Sequence, residues 1–115
     1  MRLFIDGTTR NAAELYEQLT ELHTNYAEIS EVICSAYSEC SHIVLYWAQN
    51  NDVKQCLHFG LSEEEEDAVL TSVNIINDEN PDIVMLLTHK SNILELLVEE
   101  ASENPFVKVV MVKPE

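Results

Sequence analysis

A chain of 115 residues, 46% hydrophobic and 23% charged, is long enough to bury one core and too apolar to be a disordered tail. Its 21 acids and six bases give a formal charge of −15, beyond the roughly 2–8 units that keep a small domain soluble. Such a surface repels nucleic acid and anionic lipid, and attracts basic proteins or cations. Direct nucleic-acid binding and membrane association are therefore not expected.

Two glycines and three prolines predict long regular elements with few loops. Arg2 to Ile5 reads as a short first strand, and Asp6-Gly7-Thr8-Thr9 as the turn leaving it. From Asn11 the pattern is helical, with Leu15, Leu19 and Leu22 on one face. A break near Thr24-Asn25 separates this from a second helix, whose apolar stripe is Ile29, Val32, Ile33, Ala36 and Tyr37. The run His42-Ile43-Val44-Leu45-Tyr46-Trp47 is rich in β-branched and aromatic residues and reads as a buried strand. Asn50-Asn51-Asp52 is a turn, and Lys54 to Phe59 reads as a hairpin partner.

Ser62 opens a third helix as N-cap, with Glu65 three residues on to close a capping box. Ala68, Val69, Val73 and Ile76 continue its buried face, and Asn77 to Pro81 ends it. The continuous apolar run Asp82 to Leu87 suits a central strand covered on both faces. Ser91 caps a last helix with Leu94, Leu97, Val98 and Ala101 inward, and Phe106 to Val112 forms a final strand. The order β-α-α-β-β-α-β-α-β, with no repeat and no linker, predicts a single acidic α/β domain over residues 1–115. Its architecture is layered, a largely parallel sheet flanked by helices.

Cys34, Cys40 and Cys56 are odd in number and contain no Cys-x2-Cys pair. With a start charged within six residues and no membrane-length apolar run, the expectation is a cytoplasmic protein with free thiols. None of the spacings His-x3-His, Cys-x2-Cys or His-x-His brings two ligands together, so neither metal nor cofactor is expected. His42 and His58 reach Cys56 only through tertiary structure. There is no Gly-x-Ser-x-Gly, no glycine-rich phosphate loop and little glycine for an oxyanion hole. No catalytic residue is assigned, and the chain reads as a non-enzyme. Asp6-Gly7-Thr8 after an apolar strand is similar to the start of phosphatase-like α/β domains. Phe4, however, stands where their nucleophilic aspartate would be.

The acids carry the functional signal. Glu63-Glu64-Glu65-Glu66-Asp67 are consecutive. The pairs Glu17/Glu21, Glu95/Glu99, Glu99/Glu103 and Glu63/Asp67 each place like charges four apart, costing a helix about 0.2–0.5 kcal/mol apiece. Capping and solvation account for Glu63 to Glu65 but not for acids set against one another elsewhere. The candidate partner-binding residues are Glu28, Glu31, Glu63, Glu64, Glu65, Glu66 and Asp67.

The first four-fifths of the chain resembles barstar-like ribonuclease inhibitors. The likeness runs through Arg2-Leu3-Phe4-Ile5-Asp6-Gly7, the helix with Ala13, Leu15 and Leu19, and Val44-Leu45-Tyr46-Trp47. It continues through Ala68-Val69-Leu70 and ends with Asp82 to Leu87. The resemblance implies an inhibitor that plugs a basic nuclease cleft with acids on its second helix and the preceding loop. Here Glu28 and Glu31 occupy that region, Ser30 and Cys34 hold its central positions, and the segment from Thr88 onward has no family counterpart.

The leading expectation is thus an acidic binding protein that blocks a basic surface of a nucleic-acid-handling protein. Nuclease inhibitors, antidotes and DNA-mimic or anti-defence proteins share that physics. The alternative is a structural or adaptor subunit that self-associates, as a homodimer, through an edge strand formed by Phe106 to Val112.

Overall fold

Strands and helices alternate strictly along the computed structural model, which describes residues 1–113. They are β1 (Arg2–Asp6), α1 (Ala12–Glu21), β2 (Glu31–Ser35), α2 (Ser41–Asn50) and β3 (Lys54–His58). The chain continues with α3 (Glu65–Glu79), β4 (Ile83–Leu86), α4 (Ser91–Glu103) and β5 (Val109–Val112). A π-helical turn, Leu22–Tyr26, extends α1 and closes with Ala27 N–H donating to the Leu22 carbonyl at 2.9 Å. The sheet order is β3-β2-β1-β4-β5, and every neighbouring pair is parallel. The α/β class and the parallel sheet flanked by helices are those the sequence predicts.

Parallel neighbours cannot be joined by a tight turn, so each connection carries a helix back across the sheet. Strand side chains alternate between the two helical layers. Leu3, Ile5, Val32, Cys34, Ile83 and Met85 pack in one cluster with Leu15, Leu19, Val44 and Trp47 of α1 and α2. Phe4, Ile33, Val84 and Leu86 pack in the other with Ile75 and Ile76 of α3 and Leu97 and Ala101 of α4. β1 lies at the centre, with Leu3, Phe4 and Ile5 inaccessible to solvent.

Two segments exchange their expected types. The stretch read as a second helix contains β2, all five of whose residues are buried. Its apolar residues fit a helical stripe, but Val32-Ile33-Cys34 is also the continuous run required between two strands with both faces covered. The stretch read as a strand, His42 to Trp47, is the core of α2, which buries Val44, Trp47 and Ala48 at helical spacing. Its β-branched content is overridden by the need for a crossover between β2 and β3. For the same reason Lys54 to His58 is no hairpin partner, but pairs in parallel with β2.

Trp47 is the largest fully buried side chain. Its indole Nε1 donates to Thr20 Oγ1 at 3.0 Å, and its ring meets His23 edge-on at 5.4 Å between centroids. It ties α2 to α1 above the sheet. Trp47→Ala is expected to lower unfolding free energy by about 3–5 kcal/mol, read from urea denaturation. A loss below about 1 kcal/mol would contradict this placement.

Candidate interaction surface

α3 must travel from β3, at one edge of the sheet, to β4 on the far side of β1. Its first turn therefore stands at the carboxyl ends of the strands, reached by the loop after β3. That loop is pinned at Gly60, where an added Cβ would lie 2.1 Å from Thr71 Oγ1 on α3. The Tyr37 hydroxyl donates to the Gly60 carbonyl at 3.2 Å. With the backbone held this close to α3, the flanking side chains project outward: Phe59 is 76% exposed and Leu61 87%. Leu70 on α3 is 50% exposed, and all three line a groove of about 310 Å³ that Asp67 and Asp78 also border.

The acid run enters α3 immediately beyond this groove. The helix begins at Glu65, with Glu64 as N-cap, so Ser62 is not the cap and no capping box forms. Ser62 Oγ instead accepts from the Glu64 N–H at 3.2 Å and donates to Asp67 Oδ2 at 2.5 Å, closing the turn before the helix. Glu63 consequently lies outside the helix, and its expected repulsion with Asp67 across one helical turn does not arise. Glu65, Glu66 and Asp67 occupy the first turn, where the helix dipole favours negative charge. Glu63, Glu64, Glu65 and Glu66 are exposed, and Lys90 forms an ion pair with Glu65.

The seven acids singled out in the sequence do not share one face. Glu63 to Asp67 stand together at the β3–α3 corner, whereas Glu28 and Glu31 lie at the opposite end of the sheet, where β2 begins. Glu28 is exposed, and its backbone carbonyl accepts from the Met1 ammonium at 2.6 Å. Glu31 is buried inside the protein's own ion-pair ladder. Its Oε1 accepts from Arg2 Nε at 2.6 Å, and its Oε2 faces Lys54 Nζ at 3.4 Å. Burial pushes the Glu31 carboxyl up, but Arg2 and Lys54 together hold it below the usual range. A carboxylate so engaged is a structural group, so of the seven acids those that stand together are Glu63 to Asp67 at the β3–α3 corner.

In doubly wound folds, ligands settle outside the carboxyl ends of the strands, where the strand order reverses. That point here is the gap between β1 and β4. The protein fills it with its own side chains. Asp6 Oδ2 accepts from Ser72 Oγ at 3.0 Å and lies 3.1 Å from His89 Nε2, while His89 Nδ1 lies 2.9 Å from the Leu87 carbonyl. Gly7, at φ +119°, brings the backbone so close that a Cβ would stand 2.7 Å from His89 Cε1. The remaining crevice is about 200 Å³, below the roughly 300–1,000 Å³ of ordinary ligand pockets, and Glu39 and Glu65 flank it. Asp6 of the phosphatase-like motif is thus a buried acceptor in a closed network.

Elsewhere, Cys34 and Cys40 are buried free thiols; burial raises both well above the ordinary range, Cys40 to about 12. Cys56 is more accessible, and burial together with Glu79 and Glu31 raises its thiol less far. It lies 3.4 Å from His58 Nε2, which is in turn 3.4 Å from Glu79 Oε1. Among the described residues, these three are the group of side chains able to hold a metal ion. No helix among the described residues is long and apolar enough to cross a membrane.

Both ring nitrogens of His89 face acceptors, an arrangement satisfied by the doubly protonated ring. Burial pulls its pKa down, but Asp6 and the Leu87 carbonyl raise it above the ordinary value of about 6.5. A raised folded-state pKa contributes stability that is complete below the unfolded value and lost as pH climbs through the folded one. Unfolding free energy should therefore fall as pH rises from about 6 towards 8. His89→Gln should flatten that slope in denaturation series across this range, and an unchanged slope would assign the proton to another group.

Comparison with protein-family models finds no match to this chain, and comparisons with curated proteins and with solved structures find no significant match either.

Proposed function

We propose that the protein is a non-enzymatic acidic binding protein whose β3–α3 corner covers a basic surface of a nucleic-acid-handling protein. One observation carries this reading: Phe59, Leu61 and Leu70 stand exposed directly beside Glu63 to Asp67. Carboxylates alone give steering and selectivity, whereas affinity comes from a few apolar anchors that exclude water at the centre of an interface. This corner offers both on a backbone already fixed by Gly60 and Tyr37, so little conformational freedom is lost on binding. The mechanism is long-range attraction of a positive cleft, followed by docking with carboxylates where phosphates would lie. The crevice between β1 and β4, filled by Asp6, Ser72 and His89, supports a role that turns no substrate over. The likeness to barstar-like inhibitors agrees in acidity, but of its two acids Glu31 is engaged with Arg2 and Lys54, and Glu28 alone is exposed, at the end of the sheet opposite the acid run.

The test compares capture of basic proteins from host lysate by the tagged protein and two variants, with stepwise salt elution. Glu63→Gln/Glu64→Gln/Glu66→Gln should release the captured protein at lower salt. Phe59→Ala should weaken binding at all salt concentrations, by roughly thirtyfold for a hot-spot anchor. Both variants should unfold in urea as the parent does, since these side chains are exposed. Capture that is indifferent to salt and to both variants would sink the proposal.

The alternative, self-association, is supported by a different observation. β5 lies at the sheet edge, with Val109 and Val112 exposed. Beside it, an apolar groove of about 420 Å³ runs between β5 and the end of α1, lined by Leu22, Tyr26, Met85 and Met111. Pairing of two β5 strands would cover both. Sedimentation should then show a dimer that Val109→Lys dissociates, whereas a monomer at high concentration removes this reading.

A further inference from the structure

Cys56 and His58 are two residues apart on β3, so their side chains leave the strand on the same face. That face is the one covered by α3, whose last residue is Glu79. Three different donor types therefore converge at the edge of the sheet. Cys56 Sγ lies 3.4 Å from His58 Nε2, His58 Nε2 lies 3.4 Å from Glu79 Oε1, and all three ligand atoms fall within 4.8 Å of one another.

The two 3.4 Å separations are close to the edges of a coordination tetrahedron, and the third, Cys56 Sγ to Glu79 Oε1, lies within 4.8 Å. With zinc bonds of about 2.3 Å to sulfur and about 2.0–2.1 Å to nitrogen or oxygen, tetrahedral angles put S···N near ~3.6 Å and N···O near ~3.3 Å. The surrounding groups orient the set. Arg2 holds the other carboxylate oxygen of Glu79, and also its backbone carbonyl, which leaves Oε1 turned towards His58. The charge of Arg2 is itself balanced by Glu31, which also faces Lys54. An outer residue that fixes a ligating carboxylate is characteristic of metal sites. The side chains are neither sealed nor loose: His58 is 32% and Glu79 27% exposed, and β3 is an edge strand, so an ion has a way in.

We propose that Cys56 Sγ, His58 Nε2 and Glu79 Oε1 bind a thiophilic divalent transition-metal ion of the zinc type, water completing a four-coordinate site. A thiolate, an imidazole and one carboxylate form a set that hard cations such as calcium and magnesium do not select. The proposal is independent of the acidic corner, although His58 also lines the groove beside Phe59.

Cobalt(II) is the probe, titrated anaerobically into the reduced full-length protein. The expected result is one equivalent bound, with a thiolate-to-cobalt charge-transfer band and the intense visible bands of four-coordinate cobalt, all bleached by added zinc. Cys56→Ser should abolish the charge-transfer band. His58→Gln should weaken binding, and Arg2→Met, which frees Glu79, should weaken it roughly tenfold. As a second readout free of variants, zinc should slow alkylation of Cys56 by iodoacetamide; Cys34 and Cys40 are buried. Cobalt bound only weakly, in the pale six-coordinate form that surface carboxylates give, would overturn the proposal. So would a charge-transfer band that persists in Cys56→Ser, or alkylation of Cys56 indifferent to zinc.

Discussion

The constraint on which the structure depends is the parallel pairing of β1 with both β2 and β4. A strand flanked by parallel neighbours is reached on each side by a crossover, and its two faces are both roofed by helices. This dictates the apolar character of Leu3-Phe4-Ile5 and the division of the core into two layers. It also dictates that one helix spans the sheet. Having placed β2 and β3 on one side of β1, the chain crosses to the other side to add β4, and α3 makes that journey. At 15 residues it is the longest helix described, and its acidic start is carried to the carboxyl edge of the sheet.

The same constraint brings three of the six bases together with acids. The strands begin at one end of the sheet, where their first residues would otherwise expose charge and unpaired backbone. Arg2 bridges Glu31 and Glu79 there, Lys54 faces Glu31, and Lys108 faces Asp82. Asp82 is held below the usual carboxylate range, first by the Arg2 backbone N–H and then by Lys108. With Lys90 on Glu65, four of the six bases have acidic partners among the ion pairs described. Three of these four work at the amino ends of the strands, while Lys90 pairs with Glu65 at the opposite edge, where Glu63, Glu64 and Glu66 are exposed.

Much of this was legible from the residues, and the exceptions have physical causes. The run Arg2–Ile5 announced a first strand and Asp82–Leu87 a central one, and Asn80, at φ +47°, ends α3 within the stretch Asn77 to Pro81 where the sequence predicts its end. The exchange of β2 and α2 arose because short apolar runs carry both periods at once. Val44, Trp47 and Ala48 fit a helix as well as His42 to Trp47 fits a strand, and only the demand for a crossover decides between them. Glu31 looked like a surface acid because its partners, Arg2 and Lys54, are far away in sequence and meet it only through strand register. Cys56 and His58 were expected to meet only through tertiary structure, because the spacings considered paired like ligands, whereas the mixed pair Cys-x-His on one strand already puts both side chains on the same face. Glu79 left no local signal, since it arrives from the far end of α3.

The distribution of polar groups over the sheet also bears on where this fold keeps its chemistry. In a doubly wound domain the gap where the strand order reverses is normally left open, because two diverging loops cannot fill it. Here Gly7 admits His89 into that gap, Ser72 reaches in from α3, and Asp6 joins the two. Such a closed, fully bonded network stiffens the centre of the molecule but leaves little room for a ligand. Phe59, Leu61 and Leu70 instead stand exposed after β3 and on α3, beside the acid run at the edge of the sheet. An edge strand has one unpaired side and one helical layer ending beside it, so it can present side chains without burying the backbone they hang from. That asymmetry, a bonded network where the strand order reverses and exposed side chains at the edge, supports the reading proposed for the acidic corner alongside its charge.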